Sequence, residues 1–197
     1  MDVDINYLII LLTLIAFVLL GYTNYESYSN EVTTCKSSID NNEYIVRNKE
    51  DKEEAANILA KIRDKLETLI SSMKEKYPND LSVLRMSKKF NSDNISESGK
   101  NSQYTSYSVN KGEKIVFCIR QKDDKESFVD LNTITFVSIH ELAHIMTKSV
   151  GHTEEFWTNF KRLLNEAVSS GLYFKEDYTN NPKEYCGIKV TDSPLDN

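Results

Sequence analysis

All three histidines of this 197-residue chain, His140, His144 and His152, lie within the stretch "HELAHIMTKSVGH". Their placement constrains the fold more than any other feature. Imidazoles four positions apart share one face of a helix, so His140 and His144 can hold a single metal ion if the residues around them are helical. Glu141 then stands beside the pair, where a carboxylate can act as general base on a water. A catalytic zinc takes three protein ligands and keeps one position open, so a third donor has to return to the same point. Seven residues intervene between His144 and His152, the last of them Gly151, and a glycine lets the chain leave a helix and turn back. His152 is therefore the expected third ligand. Glu166 is the alternative, because a carboxylate from a following helix can fill the same position; Glu154, Glu155 and Glu184 are further downstream carboxylates.

The flanking patterns supply a scaffold. "NKEDKEEAANILAKIRDKLETLISSMKEKYP" offers Asn48 as N-cap, acidic residues in its first turn, and Ile58, Leu59, Ile62, Leu66, Leu69, Ile70 and Met73 on one stripe before Pro78. Residues 91–103 are rich in Ser and Asn and read as a loop. "YTSYSVNKGEKIVFCIR" holds two β-prone runs joined by Asn110, Lys111 and Gly112, which predicts a hairpin. A helix carrying the histidines begins near Leu131. Another begins near Thr153, with Phe156, Phe160, Leu163, Leu164 and Ala167 on one face and Gly171 as its stop. The expected order is helix, hairpin, helix, helix and an irregular tail: an α+β domain with a small antiparallel sheet. The strand 114–120 is a candidate edge for an extended substrate, with an ordinary internal strand as the alternative.

Ahead of this domain, "INYLIILLTLIAFVLLGY" runs from Ile5 to Tyr22 without a charge. Eighteen helical residues reach about 27 Å, close to the apolar thickness of a bilayer. "MDVD" lacks the basic start of a signal peptide, and no small-x-small cleavage site follows, so the run is expected to be a single uncleaved membrane anchor. The first basic residue, Lys36, lies near the outer limit of the flank over which Lys and Arg bias insertion, so the orientation is left open. The expected division is an anchor over 1–22, an aperiodic tether over 23–47 and a folded domain over 48–197.

Cys35, Cys118 and Cys186 form no CxxC pair; three reduced thiols are expected, and one disulfide plus a free thiol is the alternative. A formal net charge of -6 gives no support for a broad nucleic-acid-binding surface, so direct binding of nucleic acid is not expected. Two other classes of function bear on the histidines. A structural zinc module would close the fourth position, for instance with Cys186, and a membrane-bound docking protein would use the helix at 50–76; neither gives Glu141 a task.

"HELAHIMTKSVGHTEEFWTNFKRLL" resembles the active-site segment of the WLM and SprT-like zincin metallopeptidases, where HELAH is followed by a short loop, a Gly-His pair and a helix opening with two aromatic residues. "NKGEKIVFCIR" and "GLYFKEDYTNNPKEYCGIKVTDSP" are similar to the flanking segments of membrane-anchored metallopeptidases of large DNA viruses. The similarity runs from about Val109 to Pro194 and hardly touches residues 1–100. It implies a zincin-like domain with one catalytic zinc on His140, His144 and His152, Glu141 as catalytic base, a protein or peptide substrate, and a viral or host membrane as the location. Relatives in this group are associated with cleaving proteins crosslinked to DNA. That substrate class is not carried over, because this chain has no DNA-binding zinc finger and has an apolar span. Tyr173, Tyr178 and Tyr185 are candidates for stabilising an oxyanion.

Overall fold

The computed structural model describes residues 5–196. Helix α1 spans Ile5–Glu31, and its segment Ile5–Thr23, of mean hydropathy 2.4, leaves its apolar side chains exposed. The end of α1 joins the rest of the fold directly, the Glu31 carbonyl accepting from the Asn48 N–H at 2.8 Å and its carboxylate from the Lys100 N–H.

Residues 23–47, expected as an aperiodic tether, instead continue α1 and then form β1 (Val32–Lys36) and β2 (Glu43–Arg47), paired antiparallel. The physical reason is an alternation too short to read as a period. Tyr44 and Val46 turn into the core while Glu43 and Ile45 face out, and Asn41, at φ 62°, closes the turn.

Helix α2 (Lys52–Lys76), with Asp51 at its N-cap position, starts three residues later than an Asn48 cap would place it, and buries Leu59, Ile62, Leu66, Leu69, Ile70 and Met73 as the stripe requires. It packs on the sheet and also on α4 and α5. A short helix, α3 (Leu81–Lys89), follows after Pro78. Asp80 caps it by accepting from the N–H groups of Ser82 and Val83.

The sheet departs from the expected antiparallel hairpin. β3 (Ile95–Glu97) lies inside the segment read as a loop, and the order β1-β2-β3-β5-β4 makes a five-stranded mixed sheet in which β3 runs parallel to both β2 and β5. The hairpin itself is present: β4 (Tyr107–Val109) and β5 (Lys114–Phe117) pair antiparallel across Asn110, Lys111 and Gly112, all at positive φ. β5 is internal, between β3 and β4, which is the second of the two expectations for strand 114–120; the free edge beside it is β4.

Helices α4 (Leu131–Met146) and α5 (Glu154–Ser169) begin at Asp130 and Thr153, whose side chains accept from backbone N–H groups of the first turn. α5 stops at Gly171, φ 70°. The tail is not wholly irregular, since β6 (Lys183–Tyr185) and β7 (Ile188–Val190) form a hairpin closed by Cys186 and Gly187, both at positive φ. Cys186 is bonded to Cys118, which overturns the expectation of three reduced thiols; Cys35 is free. Two small, buried side chains that looked like separate core hydrophobes are brought within bonding distance by tertiary folding alone.

Candidate metal centre

α4 is apolar nearly all round and runs through the core, so its few polar side chains are fixed by packing rather than by solvent. Thr135 and Ser138 return their hydroxyls to the carbonyls one turn back, at 2.7 Å each. His140 and His144, one turn apart, project from the same face into a cleft of about 730 Å³. The chain then leaves α4 at Thr147, turns at Gly151 (φ 83°) and returns His152 to the same point.

The three imidazoles converge. His144 Nε2 and His152 Nε2 lie 3.2 and 3.1 Å from His140 Nε2, and one ligand atom from each residue lies within 4.8 Å of the others. Phe156 forms a common wall, its ring centroid 4.9, 4.3 and 4.7 Å from those of His140, His144 and His152. Burial, followed by the neighbouring imidazoles, pushes His140 down to about 3, and burial with His152 pushes His144 to about 4. Both rings are therefore neutral at physiological pH, the form that donates a lone pair to a metal.

The donor set fits zinc on two counts. Tetrahedral zinc with Zn–N bonds of about 2.0–2.1 Å spaces its ligand nitrogens about 3.3 Å apart, near the two contacts observed. Hydrogen bonding cannot account for both contacts, because a neutral imidazole Nε2 carries one hydrogen or one lone pair and His140 Nε2 faces two partners. A cation accepting three lone pairs removes the conflict.

Glu141 is 6% exposed and its carboxylate accepts from the backbone N–H of Ser108 on the outer edge of β4. Burial raises its pKa to about 7, partly offset by that hydrogen bond. Glu166 points elsewhere. It sits between α5 and α2, accepting from Ser72 Oγ and Lys76 Nζ at 2.7 Å each, as an interhelical ion pair. Of the three tyrosines, Tyr173 and Tyr178 hydrogen-bond to each other in the core beside Phe136. Tyr185 alone lines the cleft, its hydroxyl 2.5 Å from Ser106 Oγ. Neither Ser106 nor Ser108 stands out in the sequence. Ser108 is a short polar residue on edge strand β4 and Ser106 lies just before it, and the position of both depends on the pairing of β4 with β5.

The family model for the WLM domain matches residues 38–194. An uncharacterized protein of Acanthamoeba polyphaga mimivirus is 31% identical over 195 residues, covering 96% of this chain and 98% of the relative. An uncharacterized protein of Invertebrate iridescent virus 6 is 28% identical over 163 residues, covering 78% of this chain and 87% of the relative. Among solved structures, Wss1 from Saccharomyces cerevisiae superposes with a TM-score of 0.49 and 24% identity, covering 64% of this chain and 88% of that one. With the family match spanning nearly all of the chain beyond α1 and a viral relative aligned almost end to end, the chain belongs to the WLM family of metalloprotease-like domains.

Proposed function

We propose that this protein is a zinc metallopeptidase anchored to a membrane by α1, with His140, His144 and His152 as ligands and Glu141 as general base. The single observation that carries the reading is the convergence of three imidazole nitrogens beside a buried carboxylate in one open cleft. When bound, zinc supplies a Lewis acid that acidifies a water and polarises the scissile carbonyl. Glu141 takes a proton on its carboxylate and later releases it to the leaving amine, a role suited to a pKa near the working pH. The hydrogen bond from the Ser108 N–H orients the carboxylate without neutralising it. β4 and the tail residues around and after β7 both line the cleft, which suits the free edge of β4 to an extended peptide. Of Tyr173, Tyr178 and Tyr185, it is Tyr185 that lines the cleft, which supports it as a donor to an oxyanion.

The alternative of a closed structural zinc site has less support, because the Cys186 sulfur that would fill a fourth position is engaged with Cys118. The test is peptide hydrolysis by wild type and by Glu141→Gln, each with metal content measured. The variant should keep its zinc and lose turnover by about 10²- to 10⁴-fold, as expected for removal of a general base. Hydrolysis by the variant at the wild-type rate would end this assignment.

A further inference from the structure

His152 sits on a loop, and a ligand on a loop is only as well placed as the groups that hold the loop. Lys111 Nζ donates to the carbonyls of Thr147, Lys148 and Ser149 at 2.7, 3.0 and 2.6 Å. These are successive acceptors in the turn that leaves α4 and leads to Gly151 and His152. One ammonium has three hydrogens, so the match is complete. From the other side, the Glu155 carboxylate accepts from the N–H groups of Lys148 and Ser149 at 2.9 and 3.1 Å. The loop backbone is therefore held at its carbonyls by a cation and at its amides by an anion.

The anchor for Lys111 is itself rigid. Asn110, Lys111 and Gly112 have φ of 47°, 55° and 110°, a costly sequence of left-handed residues that persists only where its surroundings fix it. A Cβ at Gly112 would lie 2.6 Å from the Lys89 carbonyl oxygen, so this turn is pressed against the end of α3. The cation also lies at the C-terminal end of α4, where the helix dipole favours positive charge.

We infer that Lys111 is the positioning residue for the third metal ligand: it gathers the three loop carbonyls and thereby presents His152 to His140 and His144. This rests on the metal reading above. It assigns a function to the hairpin turn that the WLM match and the three histidines do not.

The experiment measures zinc affinity by chelator competition in the full-length chain in detergent, for wild type, Lys111→Met, Lys111→Arg, His152→Ala and the double variant Lys111→Met/His152→Ala. Outer-shell partners of metal ligands are worth about 10- to 100-fold in affinity, and Lys111→Met should weaken zinc binding by that order. Lys111→Arg, which keeps charge and donors but not the three-way geometry, should fall between Met and wild type. In the His152→Ala background Lys111→Met should cost almost nothing further, since its effect runs through His152. A general loss of packing would instead add in full. Amide exchange in the metal-free chain supplies a second readout: Lys111→Met should speed exchange at residues 148–152 and leave the core of α4 protected. Wild-type affinity in Lys111→Met, a fully additive double variant, or unchanged loop exchange would each overturn the inference. Absence of zinc binding by wild type would instead overturn the metal reading, leaving the exchange result to judge the loop clamp by itself.

Discussion

Glu97 and Arg120 mark the limit of what single residues disclose. Arg120 Nε donates to Glu97 Oε1 at 2.8 Å with both side chains almost wholly buried, and the guanidinium also reaches both carboxylate oxygens of Asp51. Glu97 in turn accepts from the Arg47 N–H at 2.7 Å. In the sequence these are unremarkable charges, 23 positions apart, the acidic one amid Ser and Asn. His140, Glu141 and His144 were legible for the opposite reason: helix geometry alone converts their spacing into proximity, and His152 needed only one glycine turn more. Glu97→Ala leaves Arg120 with Asp51 but its Nε without a buried acceptor, so it should destabilise the fold by about 1–3 kcal/mol in chemical unfolding. A loss below about 1 kcal/mol would show that water reaches Arg120 and that the pair is not a structural centre.

Among elements, those with a sustained period were readable. The apolar stripes of α2 and α5, the starts of α4 and α5, and the Asn-Lys-Gly turn between β4 and β5 all lie within a few residues of where local pattern puts them. β3 was not readable, because three residues carry no period and two of them are polar; its place comes from pairing with β2 and β5. The β6–β7 hairpin hid behind a cysteine in a turn position usually held by Asn or Asp. The bond from Cys186 to Cys118, across 68 residues, ties that hairpin and Tyr185 to the end of β5. Cys186→Ser should lower stability by about 2–4 kcal/mol while leaving zinc content intact, since neither sulfur touches the histidines. Loss of zinc in this variant would mean that the hairpin helps to hold the metal centre.

At the scale of the whole molecule, the strand order escaped prediction because parallel pairing joins segments distant in sequence, while the α+β class and the apolar first helix did not. α1 passes into β1 with no intervening loop and is fastened at Glu31, so an anchored domain would sit close to the bilayer surface. Full-length protein should resist carbonate extraction, and removal of residues 1–22 should release it. A mature N-terminus near residue 22 would identify the helix as a cleaved signal instead. The central claim, however, is the ligand set, and it is tested most directly by zinc content per chain in wild type, His152→Ala and Glu166→Ala. The account predicts about one zinc in wild type, its loss after dialysis from His152→Ala, and full retention in Glu166→Ala, whose carboxylate serves Ser72 and Lys76. Zinc retained without His152 and lost without Glu166 would contradict it.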